Sequence, residues 1–150
     1  VTPAAIQTVR VTDTLPDGFE RLRQEAAEEG YAFLDRLAQE IERGDYAGAA
    51  DLPVLFAVFA EGELAGMGGI TPDPYDPAPD IARLRHVYVR AASRRLGVGR
   101  AIASALIQQG FVIAARLSLR AADDRAAAFW EAEGFARDLT DAQRTHLLAR

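Results

Sequence analysis

The chain has 150 residues, 49% apolar and 26% charged, with a net charge of −5, which is the size and balance of one globular domain able to bury a core. No run of about 18 apolar residues offers a membrane span, and the acidic balance argues against a nucleic-acid surface. With no cysteine in the sequence, disulfides, thiolate metal sites and a cysteine nucleophile are excluded.

Residues 1–5, Val-Thr-Pro-Ala-Ala, lack the charged-then-apolar pattern of a secretory leader, so a cytoplasmic location is expected. Residues 6–12 alternate apolar and polar and predict a first strand. After the break at Pro16-Asp17-Gly18, Phe19 to Glu29 predicts a helix, which Gly30 punctuates. Leu34, Leu37, Ala38 and Ile41 recur at the spacing of one helical face, and Gly44 ends that helix. Val54 to Ala60 is a continuous apolar strand, and Glu61-Gly62 turns it into a hairpin partner over 63–70. Residues 72–80, with four prolines and three aspartates, predict a loop. A strand follows over 83–89, then a helix from Val98 to about Gln109. Leu117-Ser118-Leu119-Arg120 is a short strand. Asp123 or Asp124 caps a helix that Gly134 closes. Strands over 135–139 and 145–149 complete the chain, with no repeat, low-complexity tract or linker between elements.

Residues 94–100, Arg-Arg-Leu-Gly-Val-Gly-Arg, carry the strongest chemical signal. They break a strand into a glycine loop that opens a helix, and the first N–H groups of a helix have no partners within it. The helix dipole adds about half a positive charge there. Gly97 and Gly99 allow a tight turn and close approach to backbone, and three arginines flank them. A diphosphate fits such a place. So does a dinucleotide-binding turn, although its third glycine position is Ile102; Asp123 and Asp124 lie near its acidic offset. A Walker loop needs a lysine, and the chain has none. A plain strand-to-helix turn also uses glycine for geometry.

Arg94, Gly97 and Gly99 match the Arg/Gln-x-x-Gly-x-Gly/Ala motif of the GNAT superfamily of N-acyltransferases, which the segment resembles. Downstream, Asp123-Asp124-Arg125-Ala126-Ala127-Ala128-Phe129-Trp130-Glu131-Ala132-Glu133-Gly134-Phe135 is similar to that family's Asn-x-x-Ala-x-x-Phe-Tyr-x-x-x-Gly-Phe segment, with two departures. The resemblance covers about residues 6–150. It implies one acetyltransferase domain over 1–150 with an α/β (α+β) fold, a mixed, mostly antiparallel sheet of six or seven strands flanked by about four helices. The sheet is expected to splay at the strand preceding the glycine loop, opening after Val89. An extended amide-bearing arm can then satisfy the strand groups that lose partners.

The resemblance further implies acetyl-CoA as co-substrate, without a metal, and an amine acceptor that is a small molecule or a peptide. Neither nucleic acid nor membrane is an expected partner, and a homodimer is compatible. The arm would meet Val87, Tyr88 and Val89. The diphosphate would meet Arg94, Arg95, Leu96, Gly97, Val98, Gly99 and Arg100; Asp123 and Phe129 would also contact the cofactor, and Trp130 would pack near its thiol end without donating a proton.

Catalytic expectations start from two departures. Arg83 stands where many members carry a glutamate, and a guanidinium is no base. Trp130 stands where many carry a tyrosine acid; its indole N–H donates a hydrogen bond but does not titrate in this range. Candidate bases are His86, which titrates near neutrality, and Tyr88 on the same strand face. Core packing is the alternative for both. Asp73, Asp76 and Asp80 in the proline-rich loop and Glu25, Glu28 and Glu29 near the first helix junction are further candidates, with solvated surface charge as the alternative. Two other functions compete with acyl transfer: a non-catalytic acyl-CoA-binding sensor, and a small nucleotide-binding α/β domain, which the early antiparallel hairpin disfavours.

Overall fold

A computed structural model describes residues 5–48 and 50–150, so most of the leader reading over residues 1–5 lies outside it. The elements run β1 (Ile6–Val11), α1 (Phe19–Glu28), α2 (Phe33–Glu42), β2 (Val54–Ala60), β3 (Glu63–Pro72), β4 (Ile81–Val89), α3 (Val98–Ile113), β5 (Arg116–Leu119), α4 (Asp124–Ala132), β6 (Ala136–Arg137) and β7 (His146–Ala149). They build a seven-stranded sheet in the order β1-β2-β3-β4-β5-β7-β6. Every pairing is antiparallel except β4 with β5. This is the expected mixed, mostly antiparallel architecture with four helices.

Local chemistry sets the boundaries. Glu61 and Gly62 both have positive φ, as a two-residue hairpin of the primed type requires. The predicted helix stops Gly30, Gly44 and Gly134 are all left-handed. At Gly30 the closing bonds are Gly30 N–H to Ala27 and Tyr31 N–H to Ala26, the pattern of a left-handed helix end. Asp123 caps α4 by accepting the Ala126 N–H at 2.9 Å.

Each face of the sheet buries its own apolar layer. Leu22 and Ala26 of α1 with Leu34, Leu37 and Ile41 of α2 pack on one face, together with Leu55, Met67 and Tyr88. Ile102 and Leu106 of α3 with Trp130 of α4 pack on the other, against Ile70, Leu84 and Leu117.

Three boundaries differ from expectation. The helix expected to end near Gln109 runs through Gly110 to Ile113. A Cβ at Gly110 would stand 2.6 Å from both Ile70 Cδ1 and Leu117 Cδ2, so this glycine serves close packing of α3 on the sheet and is no helix stop. The strand expected over 135–139 is only Ala136–Arg137. The sheet opens earlier than the end of β4. The β4–β5 ladder holds only Ile81, Ala82 and Arg83 against Arg116, Leu117 and Ser118, so among the described residues no strand pairs with Leu84–Val89 on that side. β5 continues to Leu119, which pairs with His146 and not with β4, so the two strands part after Arg83 and Ser118 and the opening begins six residues earlier than expected.

Candidate active site

The glycine loop joins β4 to α3. A single 3₁₀ turn, Ala91–Ser93, leads into it. Arg95 and Gly97 are left-handed, with φ of 67° and 88°, and the first helical bond runs from Ala101 N–H to the Gly97 carbonyl. The N–H groups of Val98, Gly99 and Arg100 therefore precede the helical ladder. Gly97 has no side chain to cap them, and no acidic residue stands in the first turn. By contrast, α4 has Asp123 as cap and Asp124 in its first turn. A helix start bearing Arg100 and lacking a carboxylate is electrostatically unfavourable in isolation and suits an external anion. Arg95, Leu96 and Arg100 are exposed, while Val98 is buried.

Arg94 has a different task. Its guanidinium grips Glu29 with two bonds, at 2.9 and 2.7 Å, and its Nε donates to the Val89 carbonyl at 3.1 Å. Of the three arginines expected to supply charge from around the loop, Arg94 is thus neutralised by an ion pair.

The open edge of β4 runs directly into this loop. Arg90 N–H bonds Ala65 of the neighbouring β3 segment, so by alternation the backbone groups of Val87 and Val89 face the open side. The Val89 carbonyl is the one taken by Arg94. Across the opening, Phe129 of α4 lies 3.3 Å from where a Cβ on Gly99 would be, and Val89 lies 3.8 Å from the same point. Val89, Gly99 and Phe129 therefore converge, and part of what Gly99 allows is the Phe129 contact.

A β-bulge shapes the other face. Met67 pairs with Tyr88 and Gly69 with Arg85, so the single residue Gly68 opposes both His86 and Val87. His86 adopts φ of 60°, a left-handed conformation that histidine tolerates better than most residues. Its ring lies beside Phe33 of α2, while Val87 packs against the α3 layer.

His86 Nε2 lies 3.2 Å from Glu40 Oε1, which also accepts the Tyr46 hydroxyl at 3.0 Å. Burial pushes the His86 pKa down and outweighs the opposing pull of Glu40, while Arg85 and Arg36 push it down further. The imidazole is therefore neutral at neutral pH. Burial, followed by the Glu40 carboxylate, raises the Tyr46 phenol.

The Tyr88 hydroxyl donates a short bond to Glu29. Burial and then Glu29 push the phenol pKa up, whereas Arg94 and then Tyr88 hold the Glu29 carboxyl below its usual range. Tyr31 packs edge-on to Tyr88 and donates its hydroxyl to Asp123 at 3.1 Å. The α1–α2 junction is thus bonded to the glycine loop at Arg94 and to the α4 cap at Asp123.

The remaining candidates are mostly engaged elsewhere. Trp130 is 6% exposed, edge-on to Phe129 and Phe135 with centroids 5.0 and 5.4 Å away, so it stands in an aromatic core. Asp73 is buried and accepts the Ser118 hydroxyl at 2.6 Å. Asp76 pairs with Arg144 and Asp80 with Arg116. Glu25 is held by Arg90, and Glu28 is exposed. Asp73, Asp76, Asp80 and Glu25 thus serve as structural partners, and Glu28 lies on the surface.

Glu40, Tyr31, Tyr46 and Arg85 are residues around His86 and Tyr88 that the sequence pattern missed. Glu40 flanks the apolar stripe of α2 beside Leu37 and Ile41, and that flanking position is its only sequence signal. Among the described residues, no group of three or more acidic or histidine side chains could hold a metal, and no helix is long and apolar enough to cross a membrane.

Residues 18–135 match the family model of the acetyltransferase (GNAT) family. A comparison with curated proteins found no match. Among solved structures, an assigned acetyltransferase of Exiguobacterium sp. 255-15 superposes with a TM-score of 0.85 at 22% identity, covering 97% of this chain and 93% of that one. A GNAT-family acetyltransferase of Staphylococcus aureus Mu50 superposes with a TM-score of 0.71 at 13% identity, over 97% and 99% of the two chains. At these identities the likeness is one of fold.

Proposed function

The chain belongs to the GNAT family of acetyltransferases, and we propose that it moves an acetyl group from acetyl-CoA to an amine by direct attack on the thioester. One observation carries this reading: the unpaired edge of β4 from Leu84 to Val89 leads through the glycine loop to the uncapped start of α3. The diphosphate would lie against the N–H groups of Val98, Gly99 and Arg100, with Arg95 and Arg100 adding charge. The arm's amides would pair with backbone of Val87 on the open edge.

The thioester supplies the activated acyl carbon. The amine nitrogen attacks that carbon, the C–N bond forms, the C–S bond breaks and the electron pair leaves on sulfur. An amine of pKa about 10.4 must first lose a proton, costing about 4–5 kcal/mol at pH 7. His86 takes the proton, through water given its burial. With Nε2–H donated to Glu40, the lone pair sits on Nδ1. The attacking nitrogen sheds a second proton as the amide forms, and the leaving thiolate, with a parent pKa near 8.5, takes that proton through water.

An acyl-CoA-binding module without turnover is the alternative. It is favoured by Trp130, a core indole where the resemblance puts a titrating phenol. Calorimetry with CoA and with NAD, followed by thiol-release assays over an amine panel, separates the cases. CoA binding with thiol release supports acyl transfer. CoA binding with no release from any amine selects the binding module, and NAD binding without CoA binding overturns both.

A further inference from the structure

Four guanidinium groups lie around the α1/α2 side of the sheet opening in a chain of net charge −5. Arg83 and Arg85 come from β4, Arg120 from the end of β5 and Arg36 from α2. Arg85 and Arg120 are both close enough to Arg83 to disfavour its charge, and Arg85 and Arg36 act likewise on His86. Among the described residues, Arg36, Arg85 and Arg120 have no carboxylate within ion-pair distance, and Arg83 has only Asp73, at 3.9 Å. Other arginines on the same side of the sheet are differently placed: Arg116 is paired with Asp80, and Arg144 with Asp76 and Asp138.

Arg83 is the most telling of the four. Its side chain is 8% exposed. Nη2 donates to the Gln143 carbonyl at 2.8 Å, but Nη1 is buried and has no hydrogen-bond partner among the described residues. A buried, unpartnered donor on a charged group is costly. Asp73, its nearest carboxylate, is already committed to Ser118 and to the Tyr75 N–H. Tyr75 covers the guanidinium, with its ring centroid 4.9 Å away, yet is itself 56% exposed. Arg83 is therefore a charged donor held under a ring that solvent can reach from above.

We propose that this cluster binds a carboxylate of the acceptor, so that the amine substrate is one that also carries a carboxylate. Arg83 makes the central contact once Tyr75 moves aside, and Arg85 and Arg120 complete the cationic wall. This rests on the acyl-transfer reading for the word "acceptor", but the anion subsite can be tested without turnover.

The binding arm uses calorimetry on the CoA-saturated protein, with an N-acetyl amino acid and its amide as probes. The acid is expected to bind at least about tenfold more tightly than the amide, the scale of one charge-assisted hydrogen bond. Arg120→Gln and Arg85→Gln should each remove most of that preference, with CoA affinity unchanged and partial rescue by Arg120→Lys. Arg120 is exposed, so this variant keeps the test usable should Arg83→Gln fail to fold. Equal binding of acid and amide, or binding of neither, overturns the subsite.

The turnover arm measures thiol release with amino acids, their amides and a polyamine. Arg120→Gln should raise KM for the acids with little change in kcat and leave the amides unaffected. Preference for acid over amide in binding, with no thiol release from any amine, would sink acyl transfer and leave the subsite standing. Release with equal kcat/KM for acids and amides would do the reverse.

Discussion

Glu29 and Arg94 form a two-bond ion pair, 2.9 and 2.7 Å long, that joins the end of α1 to the glycine loop across 65 positions of sequence. The pair also receives the Tyr88 hydroxyl. It links the α1–α2 junction to the glycine loop through one carboxylate. Disrupting either partner should therefore disturb both sides of the opening.

A double-mutant cycle checks this. Glu29→Gln and Arg94→Gln should be non-additive, with a coupling of about 1 kcal/mol in unfolding free energy, as expected for directly contacting residues. Additive effects would show that the pair contributes nothing as a unit, which is the usual result for exposed ion pairs.

Charge at the start of α3 should govern CoA affinity. Arg95→Glu combined with Arg100→Glu replaces two exposed cations beside uncapped N–H groups with anions. CoA affinity should fall by at least about tenfold, since each charge near a helix terminus contributes about 0.3–1 kcal/mol. Calorimetry at two salt concentrations measures it, and the loss should shrink at high salt. An unchanged affinity would place the diphosphate elsewhere.

Trp130→Phe should leave the form of the pH–rate profile intact, because the indole is packed between Phe129 and Phe135 and has no proton to give. Its cost should appear in stability, about 1–2 kcal/mol for a smaller ring in a filled core. A rate loss above about 10²-fold with CoA affinity unchanged would assign the indole N–H a chemical role. Trp130→Tyr should not raise turnover, since its hydroxyl would enter the same apolar cluster.

Gly110→Ala tests the packing of α3. Alanine gains about 1 kcal/mol of helix propensity over glycine. Its Cβ would meet Ile70 and Leu117, both fully buried, at 2.6 Å, and overpacking costs about 1–3 kcal/mol. The clash should outweigh the propensity gain and lower Tm. A higher Tm would mean that α3 can shift away from the sheet without penalty.

Acid should loosen the segment between β6 and β7. The Thr140 hydroxyl and then Arg144 hold the Asp138 carboxyl at about 2, below the usual value near 3.9. A depressed folded pKa stabilises above the unfolded value, so this contribution is complete above about pH 4 and is lost as pH falls toward 2. The carbonyls of Ala142 and Gln143, which hold Arg120 and Arg83, lie in the same segment. Asp138→Asn should remove that part of the acid limb from the stability profile. An unchanged profile would show that the carboxylate is not responsible.

Much of the architecture was legible in the sequence because its signals are local. The apolar spacing of α2, the positive-φ glycines that stop three helices, the Glu61-Gly62 turn and the Asp123 cap each act within a few residues. The glycine loop and the Asp123–Phe135 segment pointed to the family by the same local logic. What remained hidden depends on pairs distant in sequence. Glu40 meets His86 across 46 positions and Ser118 meets Asp73 across 45, and no periodicity reports such meetings. Gly110 looked like a stop because its reason for being glycine lies on the sheet, in Ile70 and Leu117.

The sequence by itself therefore determined the element types, their order and the phosphate-suited turn, since backbone propensity and hydrophobic period are properties of short stretches. Only the tertiary structure decided where the sheet opens, because that depends on where β5 turns from β4 to pair with β7 alone. Likewise, only tertiary structure engaged Arg94 with Glu29 and buried Trp130, and it left Arg83 with a donor unpaired. Side-chain charge and burial become definite only when distant segments pack, which is why the chemistry of this site could not be read from local pattern.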